Sequence, residues 1–576
     1  MKRELRVLAA TATLLLALST IHPALAQKPG SVLRVHALDS PPSMSMHEEV
    51  DAVPARAMMG VFNNLVMFDQ HAKQNSRQSI VPDLASSWAW SADRKRLTFK
   101  LREGVKWHDG KPFTAQDVKC TWDLLTGKSS EKLRLNPRKS WYRNLAEVTT
   151  NGDYEVTFHL QRPQPAFVAL LASAYSAVYP CHVAPSDMRQ HPIGTGPFKF
   201  AEFKPNERIT MTRNQDYWKP GQPYLDGIEF TIIREVSTAN LAFVAGKLDW
   251  IAMTIPLLKD VKSQAPDAIC EVTPGGISRN LIVNRDAPPF DDPDMRRAMA
   301  LSLDRKAFID IISEGQGDIG GVMQPLPEGV WGMPQDVLGT LPGYDPNVEQ
   351  NRAEARQIMQ RLGYGPDKRL ALKVSTRNIP PYRDPAVILT DQLKEVFIDG
   401  ELEIVETASW FPKVMRKDYK IGLNLSGGGV DYPDQQFYEN YAGFATQLHR
   451  ILQPRARKAV RPAINRSRRE KAQEAGVGDR EQAGRRRRPA DHLLQSLCLL
   501  LAPSGQGLDD DGQQHHQQLA HGRRLVGQIA GCPNTRARTG GNNAASAAAK
   551  GGITWNEARS SRAHSGSLAV ACGIDQ

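Results

Sequence analysis

The stretch Leu97-Thr-Phe-Lys-Leu-Arg-Glu-Gly-Val-Lys-Trp-His-Asp-Gly-Lys-Pro-Phe-Thr-Ala-Gln-Asp-Val118 holds three folding signals in succession. Leu97, Phe99 and Leu101 alternate with Thr98, Lys100 and Arg102, the period-two pattern of a strand with one face buried. Asp109-Gly110 is a turn dipeptide, so Trp107 to Pro112 reads as a hairpin. Thr114 then stands three residues before Asp117, the spacing of a capping box, and opens a helix.

The same alternation of short strands and helices continues in both directions. Val32–Val35 reads as a short buried strand, and Asp39 to Ser45, with Pro41 and Pro42, as a polar turn-forming loop. Strands are predicted at Tyr154–Leu160, Phe198–Phe203, Ile228–Ile233, Asn280–Asn284 and Leu370–Val374. Helices are predicted at Thr238–Ala245, closed by Gly246, and at Asp294–Ile312, Gln350–Leu362 and Pro385–Phe397. Strands and helices alternating beyond residue 276 imply a second mixed-sheet lobe, so the fold class is α/β.

Charge separates the chain into two unlike parts. Of 73 Lys/Arg and 62 Asp/Glu, residues 443–576 hold 21 and 10, which leaves 52 of each sign in the first 442 residues. The body is therefore neutral, and a basic nucleic-acid-binding fold is excluded for it. Only Phe444 and Trp555 of the chain's aromatic residues lie in the basic tail. Read literally, Arg485–Arg488 suggests a nucleic-acid patch, and His515-His516 within a Gln run a metal tract. The change of character within a few residues of Tyr441 fits a different cause, a reading-frame shift near Ala442–Phe444. Shifting the frame by one nucleotide permits an amphipathic helix running into a strand over 472–492. It also permits a stop codon where Ile529 meets Ala530. On that reading the tail 443–576 is largely disordered and its motifs carry no function. A lobe stripped of roughly 85 residues of core would lose more than the 5–15 kcal/mol by which domains are stable.

At the other end, Lys2, Arg3 and Arg6 precede an apolar run from Val7 to Leu18, and Ala24-Leu25-Ala26 offers a cleavage site. The run is too short to cross about 30 Å of hydrocarbon, so residues 1–26 read as a cleaved signal peptide. No cysteine precedes Cys120, so no lipid anchor is expected and the mature chain should be periplasmic. Export permits a disulfide, for which Cys120 and Cys181, both in one subdomain, are the expected pair; free thiols are the alternative.

No catalytic set emerges. His108, His159, His182 and His191 lack metal-ligand spacing, and no nucleophile elbow is present. His108-Asp109 sits on a hairpin tip and reads as turn structure. Gly194-Thr-Gly-Pro-Phe198 leads into a strand and lacks the helix and lysine of a phosphate loop. No metal or cofactor is expected, and the chain is read as a ligand-capturing protein rather than an enzyme.

Leu84-Ala-Ser-Ser-Trp88 together with the stretch 97–118 resembles the signature of the family 5 extracellular solute-binding proteins, the dipeptide/oligopeptide/nickel-binding components of bacterial ABC importers. Later blocks agree in order: Gly194–Phe198 with Arg213-Asn-Gln-Asp-Tyr-Trp218 and Pro223–Gly227, then Gly246-Lys-Leu-Asp249, then Asp292–Arg305. The resemblance covers about 31–442 and implies a periplasmic-binding-protein type II fold, the Venus flytrap. Its expected parts are lobe I at 27–50 and 185–275, an inserted subdomain at 51–184, and lobe II at 276–442. The implied partners are a peptide or other small solute and an inner-membrane permease, with no nucleic acid and a monomeric chain.

The resemblance also implies a site. In peptide-binding members an Asp in a Gly-rich loop of the second lobe pairs with the ligand's α-ammonium, and Asp431 in Ser426–Asp434 takes that position beside Gly429. The aromatic usual in that loop is replaced by Gly428, which keeps a non-peptide ligand such as a nickel chelate, opine or glycoside open. Arg377 and Arg383 are candidates for a ligand carboxylate, with surface exposure as the alternative. Trp410 is a candidate cleft-lining aromatic, with a core position as the alternative. A secreted hydrolase is the rival class and would need a nucleophile–base pair in the cleft.

Overall fold

The computed structural model describes residues 30–72, 75–275, 277–317, 319–320, 335–427 and 567–573. The quoted stretch folds as its pattern dictates. Arg96–Leu101 is a strand whose Leu97, Phe99 and Leu101 are buried. Gly110 takes a positive φ of 89°, and the Trp107 N–H donates to the Lys111 carbonyl at 2.8 Å, closing the hairpin. The Asp117 carboxylate accepts from the Thr114 N–H at 2.9 Å and starts the helix Ala115–Thr126, which ends at left-handed Gly127.

Those elements belong to an antiparallel sheet in the order Ala85–Trp90, Arg96–Leu101, Glu155–Leu160, Leu145–Thr150. Its core joins Trp107, Phe113, Trp122, Tyr142, Phe158 and Phe167, with ring edges meeting ring faces. The chain leaves a larger sheet to build this subdomain and then returns to it. The larger sheet has seven strands in the order Ile269–Gly275, Ser567–Gly573, Trp250–Met253, Val32–Ala37, Gly227–Ile232, Arg208–Arg213, Phe198–Lys204. It is mixed: Val32–Ala37 runs parallel to Gly227–Ile232, which runs antiparallel to Arg208–Arg213.

A second mixed sheet has the order Ile277–Val283, Ile421–Gly427, Leu370–Arg377, Ile398–Val405. Helices Pro293–Ser302, Val348–Arg361 and Pro380–Lys394 contribute Met295, Met299, Ala355, Met359, Leu389 and Leu393 to its core. Two lobes with mixed sheets and a subdomain inserted in the first make up the architecture.

The elements depart from expectation in three places. The single helix expected at Asp294–Ile312 is two, Pro293–Ser302 and Arg305–Ser313. Asp304 breaks it, because its carboxylate caps the second helix by accepting from the Ala307 N–H at 2.9 Å. The helix expected from Pro385 starts at Pro380, where two prolines occupy positions that need no N–H partner. One piece of the tail, Ser567–Gly573, lies in the first sheet between two antiparallel neighbours. Its sequence, Leu-Ala-Val-Ala-Cys at 568–572, is apolar and contains a β-branched valine, a composition that suits pairing with both neighbours.

The disulfide Cys120–Cys181 is present. Cys270 is disulfide-bonded as well, in a strand where its register partner is Cys572.

Candidate functional site at the junction of the lobes

Strand Ile269–Gly275 of the first sheet and strand Ile277–Val283 of the second are separated by one residue, so the lobes are joined by a short crossing. Around it the lobes also touch through side chains distant in sequence. Arg377, the last residue of its strand, is 3% exposed and reaches across to the first lobe. Its Nη2 donates to Asp39 Oδ2 at 2.9 Å and to Asp51 Oδ2. Its Nε donates to Thr407 Oγ1 at 2.7 Å, and the Thr407 hydroxyl in turn donates to Asp39. The Arg377 guanidinium lies 5.3 Å from the Tyr382 ring centroid and 5.6 Å from that of Phe411.

Each partner is placed by local chemistry. Asp39 follows the strand Val32–Ala37, while Asp51 caps the helix Ala52–Met58 by accepting from the Val53 N–H at 3.0 Å. Thr407 opens the helix Thr407–Met415. Burial alone would lower the Arg377 pKa; the carboxylates of Asp51 and Asp39 outweigh it and hold the guanidinium charged. The same burial raises the Tyr382 phenol, with Arg377 opposing.

A more exposed ring of charge surrounds this centre. Arg234 lies 3.3 Å from Asp39 Oδ1 and 3.1 Å from Glu406 Oε2, and Asn378 donates to Glu406 Oε1 at 2.6 Å. Arg383 pairs with Glu235 at 3.3 Å and with its neighbour Asp384 at 3.2 Å. Leu38, Ile379 and Tyr382 form a small apolar cluster with Val236 and Leu425 alongside. Two buried carboxylates thus face one buried guanidinium and one half-exposed one.

Of the residues singled out in the sequence, Arg377 is at this junction, buried rather than on the surface, with its fork taken up by Asp39 and Asp51. Arg383 is partly exposed at the rim. Trp410 is fully buried: it packs with Ile282, Val414 and Tyr419, and its indole N–H donates to Asn424 Oδ1 at 3.2 Å. That position is inside the second lobe's core, with no face left to line a cleft. Asp431 and Gly429 lie outside the described residues. Sequence reading missed Asp39 and Asp51; it took Asp39 for the start of a polar turn-forming loop, and Asp39 is completely buried. The helix-cap position of Asp51 was the only local sign available.

The glycine motif at 194–198 docks the inserted subdomain onto the first lobe. A Cβ on Gly194 would stand 1.8 Å from the Val61 carbonyl oxygen, and one on Gly196 2.6 Å from it. Thr195 donates to Asn63 Oδ1 at 3.1 Å, and Asn214 donates to the Gly196 carbonyl at 3.0 Å. Asn63 also donates to Asp83, to which Lys219 donates at 2.7 Å.

Residues 79–447 match the bacterial extracellular solute-binding proteins, family 5, middle region. The chain belongs to this family. Its members are binding proteins rather than enzymes. Among curated relatives, di/tripeptide-binding protein 1 of Pseudomonas aeruginosa is 26% identical over 355 residues, covering 58% of this chain and 63% of the relative. The matched part therefore spans less than two thirds of such relatives. Among solved structures, the periplasmic binding protein DppA of Helicobacter pylori in complex with a peptide superposes with a TM-score of 0.69 at 20% identity. It covers 83% of this chain and 93% of that one. AgaA of Agrobacterium tumefaciens in complex with agropinic acid gives 0.66 at 21% identity, covering 82% and 91%. At these identities the likeness shows the fold, the periplasmic-binding-protein type II fold. Among the described residues no helix is long and apolar enough to cross a membrane.

Proposed function

We propose that the chain is the periplasmic capture component of an ABC importer, closing its two lobes on a peptide and passing it to an inner-membrane permease as a monomer. The observation that carries this reading is the junction itself. A short crossing and a buried contact between Arg377 and Asp39/Asp51 give two bodies that can separate and re-form one defined closed arrangement. Peptides are favoured over other solutes because the relative matched at 26% identity is named for di- and tripeptides. Asp431, two residues after Gly429, is the proposed partner of the peptide's ammonium group, and Arg377 serves closure instead of binding a ligand carboxylate. Gly428 supports a second reading in which the loosened loop takes an opine or other non-peptide solute.

The test is calorimetric titration of the purified chain with di- and tripeptides, an opine and a nickel chelate. Saturable binding of peptides that is lost in Asp431→Asn is expected; binding of the opine or chelate alone refutes the peptide reading. Residues 443–576 are proposed to be read out of frame. An intact mass about 45 residues below that of Gln27–Gln576 would support this, and a mass for the full tail would overturn it.

A further inference from the structure

Most charged groups at the lobe junction have a partner across the junction and a second contact within their own lobe. Asp39 faces Arg377 across the gap and Arg234 on its own side. Asp51 faces Arg377 and also caps its own helix through the Val53 N–H. Arg377 faces the two carboxylates and keeps Thr407, while Glu406 faces Arg234 and keeps Asn378. Arg383 faces Glu235 and keeps Asp384. When the lobes part, the cross-lobe bonds are exchanged for water, yet Asp39, Asp51, Arg377, Arg234, Glu406 and Arg383 each retain a contact of their own. A buried ion pair replaced by two hydrated, locally bonded ions changes the free energy little, because desolvation and Coulomb attraction nearly cancel.

We propose that Asp39, Asp51 and Arg377 form a charged clasp that keeps the ligand-free chain in balance between open and closed lobes. The clasp sets the direction of closure without fixing its extent, so a ligand's modest preference for the closed form is enough to tip the populations. The proposal rests on the capture reading for its purpose, but the balance itself is a property of the empty chain and can be measured without a ligand.

Removing Arg377 alone would leave two carboxylates in the closed junction with the half-exposed Arg234 as the one cation paired with them among the described residues. Removing both carboxylates alone would leave the Arg377 cation enclosed and unpaired. Either change should cut the closed population about 100-fold, since an uncompensated buried charge is strongly disfavoured. Neutralising all three should restore closure, because nothing charged is then left unpaired at the centre.

The test places p-acetylphenylalanine at Leu241 in the first lobe and Val387 in the second, both exposed, and labels the keto groups for single-molecule energy transfer on the full chain. The ligand-free wild type should show two distances, with more than about a tenth of molecules closed. Arg377→Met should show the open distance alone, and so should Asp39→Asn/Asp51→Asn; Arg377→Met/Asp39→Asn/Asp51→Asn should regain the closed one. Should Arg377→Met fail to fold by circular dichroism, the comparison of the double with the triple variant decides the matter alone. Unchanged distances in Arg377→Met, or identical distributions in the double and triple variants, would overturn the clasp. An absence of peptide binding with the distances behaving as stated would refute the capture reading and leave the clasp standing.

Discussion

Acidifying the solution from pH 6.5 to 5 should cost the first lobe and its inserted subdomain several kcal/mol through three buried histidines. His36 bonds the Ile233 carbonyl at 2.7 Å, His47 the Ala177 carbonyl at 2.9 Å and His108 the Gly196 carbonyl at 3.0 Å. The other nitrogen of His108 accepts from the Gly194 N–H at 3.3 Å, which fixes the ring as neutral. Burial holds His36 and His108 down at about 4 and His47 at about 3, with Arg138 adding to the effect at His47. These pKa values are depressed on folding, so below pH 6.5 the unfolded chain takes up protons that the folded chain refuses. Stability is therefore full above that pH and falls as pH drops toward 4. Three protons correspond to about 4 kcal/mol per pH unit near pH 5. Glu49 opposes them: burial raises its carboxyl, so the folded form gains up to one proton, worth about 1.4 kcal/mol per unit. The net loss between pH 6.5 and 5 is about 4 kcal/mol. With a urea m-value of about 2–3 kcal/mol/M, the midpoint followed by tryptophan emission should fall by roughly 1–2 M. A midpoint that moves by less than about 0.3 M would refute the assignment of these rings as buried and neutral.

Glu48 is fully buried, accepting from Arg189 Nε at 2.5 Å and from the Arg134 backbone N–H at 2.6 Å. Glu48→Gln leaves Arg189 without its counter-charge and should lower stability by about 3 kcal/mol, read as a urea midpoint shift at pH 7. Gly194→Ala drives a methyl into the Val61 carbonyl and should cost at least about 3 kcal/mol in the same assay. Gly110→Ala, where a Cβ meets nothing within 4 Å, should cost only about 1 kcal/mol, from its positive φ.

How far the sequence could be read follows from how local each signal was. The strand, turn and cap between Leu97 and Val118 are set by neighbours within four residues, so pattern alone was sufficient. The break at Leu303-Asp304 was also local, but it was hidden by continuous helical periodicity from Asp294 onward. Arg377 lay beyond such reasoning: its carboxylate partners stand 338 and 326 residues away, and no short-range pattern marks them. Trp410 shows the same limit from the other side. An aromatic near a strand edge can face a cleft or a core, and only the Ile282 and Asn424 contacts decide between them.

The network of Asn63, Asp83, Thr195, Asn214 and Lys219 bears on how such a protein can change its cargo. The blocks that mark the family lie largely in this docking network and the inserted subdomain. The clasp and the Gly-rich loop belong to other stretches of chain. The two sets share no side chain among the described residues, so substitutions in one need not disturb the other. A new ligand preference could then arise by altering the second lobe's loops on an unchanged frame. Exchanging residues 421–434 between family members would test whether ligand preference moves with that stretch.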